Sequence, residues 1–178
     1  MRRIEAIVLS AFVAAASSAA FASSVHLKGG GGAKPSFRDI GLALTATGSL
    51  VGLGNGDVLV ILSATANATA NCCTPGGSCK VPGHNPAPVS VSGSESIPAS
   101  EIKNGTTPFA VTTQSPTSPI PGAPDCPNGS WTENITDLAF KSATVTVMQS
   151  GSTVLTVNCS FSAPTSDGPV PSQNVTCS

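Results

Sequence analysis

The stretch VLVILSATANATANC, residues 58–72, decides the fold. Val58, Val60, Leu62, Ala64, Ala66, Ala68 and Ala70 take every second position, with Ser63, Thr65, Asn67, Thr69 and Asn71 between them. Successive side chains of an extended chain point to opposite sides, so this alternation sorts apolar groups onto one face and polar groups onto the other. Helical winding would scatter the same alanines around a cylinder. The segment reads as one half-buried strand, or as two strands sharing a phase.

The same signal recurs on both sides. Upstream, Leu42, Leu44 and Ala46 alternate with Thr45 and Thr47, and Asn55-Gly56 predicts a tight hairpin joining that run to Val58. Downstream, Ala143, Val145 and Val147 alternate with Thr144 and Thr146. The chain then turns around Gly151, and Leu155, Val157, Cys159 and Phe161 resume as an inward set. Phe140 is out of phase with Val145, which predicts a bulge near Lys141. Weaker strands are expected at Val89–Ile97, Phe109–Thr113 and Asn174–Cys177. Proline-rich stretches at 115–127 and 163–171 are read as connections along sheet edges, because proline cannot donate to a central ladder. No segment shows a helical period. Together these features predict an all-β fold, an antiparallel β-sandwich (Ig-like or related) stapled by disulfides, with a partly closed barrel as the alternative.

The first residues belong to a different class. Met1-Arg2-Arg3 is a short positive start, 7–22 is apolar and small, and Ala20-Phe21-Ala22 fits the A-x-A cleavage pattern. Residues 1–22 are therefore expected to be a secretory signal peptide, cut before Ser23. No later run is apolar for about 18 residues, so no membrane span is expected after signal removal. Residues 23–40 read as a flexible N-terminal segment. They hold a short extended piece, 24–28, and a joint of four glycines, Gly29 to Gly32. The extended piece is suited to pairing with its own sheet or adding to a neighbour's edge. The sandwich domain is expected over 41–178.

All six cysteines, Cys72, Cys73, Cys79, Cys126, Cys159 and Cys177, follow the signal. An even number in an exported chain predicts three disulfides. Their spacing lacks the paired ligands of a zinc site. Cys72 and Cys159 both continue inward sets, which predicts a bridge between sheets. Cys73 with Cys79 would close a short loop through Pro75-Gly76-Gly77, leaving Cys126 for Cys177. Neighbouring Cys72 and Cys73 can exchange these roles.

Composition excludes several functions. Only 10% of residues are charged and the net charge is −1, against about 25% charged in ordinary soluble domains. Nucleic-acid binding by counterion release needs clustered Lys and Arg, and the chain has no such cluster. The nucleophile elbow G-x-S-x-G is absent. Ser100-Glu101-Ile102-Lys103 matches the S-x-x-K spacing of penicillin-recognising enzymes, but their S-D-N element is missing. It reads instead as a turn capped by Ser100 and closed by Gly105. Gly52-x-Gly54-x-Gly56 lacks the last spacing of a dinucleotide loop and reads as a turn. Glu95, Glu101, Asp125, Glu133 and Asp137 show no spacing that pairs an acid with a base. Trp131, the sole indole, reads as an anchor in the core or a loop. His26 falls one place from the third-position register that square-planar Cu(II) binding requires, and His84 lies in a loop.

No catalytic residue, metal ligand or cofactor is therefore predicted. The expectation is an exported, non-catalytic protein with a structural, adhesive or surface-assembly role. It would be secreted to the medium, the cell surface or a periplasm, with self-association or an extracellular protein as partner. The alternative is a small secreted binding protein or inhibitor that presents the proline-rich loop 115–127.

Overall fold

The computed structural model describes residues 24–80, 87–121 and 126–178. Its strands are β1 (His26–Leu27), β2 (Ser36–Asp39), β3 (Leu44–Val51), β4 (Val58–Cys73), β5 (Cys79–Lys80) and β6 (Val89–Ile97). They continue with β7 (Thr107–Thr112), β8 (Ile120–Pro121), β9 (Thr132–Gln149), β10 (Ser152–Phe161), β11 (Gly168–Pro169) and β12 (Val175–Cys177). All pairings are antiparallel, in one five-stranded and one seven-stranded sheet. The arrangement is a sandwich, not a closed barrel.

The larger sheet is built on β4 and β9. Residues 58–66 pair with β6 along one edge and with β9 along the other, and β9 passes the ladder on to β10 and then β12. In β4 the even-numbered side chains from Val58 to Cys72 are buried, as the alternation requires. Three of its four alanines leave room that larger partners on β9 occupy, while Ala64 faces Ala143. Phe140 stands opposite Ala66, Leu138 opposite Ala68, and Ile135 opposite Ala70. Strand β9 keeps these residues inward through two register shifts, one skipping Lys141 and one skipping Thr136. The first is the bulge expected from the phase of Phe140. The two breaks also explain why Thr132 to Ala139 carries no simple alternation. At the far end, Ser150 (φ 51°) and Gly151 (φ 80°) form the two-residue turn that joins β9 to β10.

The smaller sheet centres on β3, flanked by β7 on one edge and by β2 and β1 on the other, with β11 beyond β2. Here the expected hairpin at Asn55-Gly56 is overturned, because β3 and β4 lie in different sheets. Neither residue has the positive φ that a tight type I′ turn demands. Both edges of β3 already have partners, so 52–57 carries the chain across the sandwich. Leu53 is buried there as a plug, and its N–H donates to Gly105 O at 3.1 Å. The Gln149 amide ties the crossing down. It accepts from Gly54 N (3.0 Å) and donates to Gly54 O (3.1 Å) and Gly56 O (2.8 Å).

Segment 24–39 contributes to this sheet and not only to a lead-in. Val25, Leu27 and Phe37 are buried, and the Phe37 ring meets Phe161 edge-on at 5.2 Å. The extended piece at 24–28 pairs with β3 of its own chain. Along the seam between β6 and β7 the sheets approach so closely that a Cβ on Gly93 would sit 1.9 Å from Thr112 O. Gln114 N donates to Ser92 O at 2.9 Å across the same seam.

All six cysteines are oxidised, but two of the expected pairings are corrected. The bridges are Cys72–Cys126, Cys73–Cys79 and Cys159–Cys177. Cys72 and Cys159 do both face inward, yet they occupy well-separated positions of one sheet and not opposing sheets. Cys72 pairs with Glu133 at the end of β9, while Cys159 pairs with Ala143 near its middle. Cys177 lies directly opposite Cys159 on β12. Cys126 therefore goes to Cys72.

Candidate functional site

The outer face of the larger sheet is assembled by register. Ser92, Ser63, Thr144 and Asn158 form one row across β6, β4, β9 and β10. Ser90, Thr65, Ser142, Ser160 and Thr176 form the next, reaching β12. Within the first row, Thr144 Oγ1 donates to Asn158 Oδ1 at 3.1 Å. Two further rows, beginning at Ser94 and Ser96, add Ile61, Leu59 and Met148 to the hydroxyls. None of the four rows contains a charged side chain. Exposed sheets normally carry charges that discourage pairing with other molecules, and these four rows lack them. On the same ladder the charges begin beyond the rows, at Lys141 in the bulge and at Asp137 opposite Thr69.

Near the end of that face, Asp57, Leu59, Ser96, Met148 and Ser150 line a shallow recess of about 330 Å³. A second groove of about 510 Å³ opens where β6 and β7 diverge, lined by Glu95, Glu101, Lys103 and Phe109 among others. The structure thus brings together two of the acids noted in the sequence. Glu95 is committed to structure, since its Oε2 accepts the Ala110 backbone N–H at 2.7 Å. That carboxylate and Pro108, which has no N–H, block the free edge of β7 against strand addition.

The Ser100–Lys103 turn has no nucleophile geometry. Lys103 Nζ donates to the Ser100 backbone carbonyl at 2.9 Å. The expected Ser100 cap is corrected as well: the short 3-10 turn Ala99–Glu101 begins after Pro98, and Asp57 Oδ1 accepts the Ala99 N–H at 2.8 Å. Asn104 (φ 52°) and Gly105 (φ 69°) close the following tight turn. His26 is exposed, and its Nδ1–H donates to Ser24 O at 2.6 Å. Trp131 is half-buried at the foot of β9. Glu133 is 3% exposed beside Cys72. His84 and Asp125 lie outside the described residues. Among the described residues no group of three His, Cys, Asp or Glu side chains is placed to hold a metal.

One buried polar cluster was missed in the sequence. Asp39 is 2% exposed. Its Oδ1 accepts Gly41 N–H at 3.0 Å and its Oδ2 accepts the Thr165 hydroxyl. Thr165 Oγ1 in turn accepts Phe140 N–H at 2.9 Å, linking β2 to the middle of β9. The available signal was parity: Asp39 shares the phase of Phe37, as Gln149 shares that of Val147. Burial raises the Asp39 pKa above its ordinary 3.8, against the lowering effect of its two hydrogen bonds; the Asp137 and Asp167 carboxylates raise it further.

A raised folded-state pKa means that the native protein binds the proton more tightly than the unfolded chain. The resulting stability is present below pH 3.8 and is lost as pH rises through the folded value. Asp39→Asn keeps the shape, can still accept from Gly41 and can donate to Thr165. Its thermal midpoint, measured between pH 3 and 8, is expected to lack that component of the decline. Parallel wild-type and variant profiles would refute the assignment.

Comparison of the chain with protein-family models, with curated proteins and with solved structures returns no match.

Proposed function

We propose that the chain is an exported, non-catalytic β-sandwich with a structural, adhesive or surface-assembly role. The observation that carries the reading is the uncharged patch of four rows such as Ser92–Ser63–Thr144–Asn158 on the outer face. Backbone-rigid hydroxyls and amides present donors and acceptors to another surface at little entropic cost, and no like charges keep that surface away. Export is supported by three disulfides, which persist in oxidising compartments. Among the described residues no helix is long and apolar enough to cross a membrane.

The test places charge on the face without touching the core. Ser63 and Ser160 are exposed, so Ser63→Lys with Ser160→Lys should leave the thermal midpoint unchanged. Light scattering of concentrated wild type, together with its retention on the producing surface, should show association that the double variant loses. A wild type that stays monomeric and is wholly released overturns the reading.

A second reading is a binding protein or inhibitor acting through 115–127. Two anchors favour it: Ile135 N–H donates to Ser118 Oγ at 3.1 Å, and Cys126 is bonded to Cys72. Both hold the loop and lower the entropy lost on docking. Inhibition of a secreted protease that disappears when 115–118 become Gly-Ser repeats would favour this reading over assembly.

A further inference from the structure

The three disulfides differ in what surrounds their sulfurs. Cys72 and Cys159 are 0% and 4% exposed, so two bridges each have one deeply covered end. The third joins half-buried Cys73 to Cys79, the one cysteine of the six that is exposed. The two residues face each other across the β4–β5 pair, at the tip of a loop with its own hydrogen bonds. Thr74 N donates to Ser78 O at 2.9 Å, and Thr74 Oγ1 accepts from Ser78 N at 3.1 Å. The inner sulfur also has a polar neighbour. Asn134 Nδ2, from β9, donates to Cys73 Sγ at 3.1 Å.

We infer that Cys73–Cys79 is a thiol–disulfide exchange site that accepts a small thiol at Cys79, while the other two bridges are structural. An incoming thiolate attacks the sulfur of the exposed residue Cys79 and forms a new S–S bond there. The Cys73–Cys79 bond breaks, and its electron pair leaves on Cys73 as a thiolate. Exchange is fastest when the departing sulfur is best stabilised as an anion, and the Asn134 N–H is already aimed at that sulfur. Direction and selectivity follow from this asymmetry: the thiol is captured on Cys79, and Cys73 is released. A second thiolate then attacks the mixed disulfide, freeing Cys79 as a thiolate and carrying away the oxidised small-molecule disulfide. Opening the bridge unties only a sequence separation of 6, against 54 and 18 for the others, so the folded sandwich persists.

The experiment treats the intact oxidised protein with reduced glutathione under native conditions, then blocks free thiols and maps peptides by mass. Label is expected first on Cys73, with glutathione on Cys79, and later on both. Label appearing first on Cys72, Cys126, Cys159 or Cys177, glutathione captured on Cys73, or no exchange short of unfolding would each overturn the inference. Asn134→Leu removes the donor from the outer face of β9. It is expected to slow the step about tenfold, the equivalent of one hydrogen bond to a charged group. In the half-reduced protein the same variant should raise the Cys73 thiol pKa, a readout that a purely structural role would not move. An unchanged rate and an unchanged titration would remove Asn134 from the proposal.

Discussion

Replacing Cys72 and Cys126 together by alanine should lower stability by about 4 kcal/mol, the chain-entropy value for a loop closed over that distance. The bridge spans a sequence separation of 54, the longest of the three, and pins the proline-rich connection to the end of β4. The same model gives about 3 kcal/mol for Cys159–Cys177 and about 2 for Cys73–Cys79, because the cost of closing a loop grows only with the logarithm of its length. Cys72 is wholly buried, so alanine, unlike serine, avoids placing a hydroxyl where the sulfur was. Urea unfolding of the three double variants should rank them in that order. An equal or smaller loss for the Cys72–Cys126 variant than for Cys73–Cys79 would contradict it. Non-reducing peptide maps of the wild type provide the direct check on the pairing itself.

Phe140→Ala is expected to cost as much, about 4 kcal/mol within the 3–5 found for buried aromatic truncations. The ring is fully buried and stands opposite Ala66, so the residue across the ladder has no side chain able to swing into the space. The backbone of Phe140 is also held on both sides of its peptide. Its N–H donates to Thr165 Oγ1, and its carbonyl accepts Thr165 N–H at 2.9 Å. The site cannot collapse without breaking the link between the sheets. A domain with 5–15 kcal/mol of total stability would be left marginal. Phe140→Leu, which keeps most of the volume, should lose about 1.5 kcal/mol or less. Equal denaturation midpoints for wild type and Phe140→Ala would show that the cavity is refilled.

Both expectations rest on elements that were legible to different degrees. The long alternation at 58–72, the turn at Gly151, the bounds of Val89–Ile97 and the bulge at Lys141 were all readable. Each depends on a period of two or on its interruption within a few residues. The first half of β9 was not readable, because the shift at Thr136 resets the phase before a pattern can build. Short β2 and β11 were missed for a related reason: strands of four and two residues are too brief to show a period. The hydroxyl face was present in the sequence as separate Ser and Thr positions. Only the register shows that Ser92, Ser63, Thr144 and Asn158 stand in one row.

The sequence by itself determined the class of the fold, the face of each long strand, and the even set of cysteines. These follow from local chemistry: side-chain alternation, turn residues and composition. Tertiary structure decided which strands are neighbours. Asn55-Gly56 announces a change of direction, but nothing in the dipeptide says whether the next strand returns to its own sheet or crosses to the other. Parity showed that Cys72 and Cys159 both point inward, and it left open whether they meet. Their partners were decided by distance along β9 and by the return of β12 onto β10, both long-range properties. The buried Asp39–Thr165 pair lies in the same category, since residues 126 apart become bonded only when two sheets close over them.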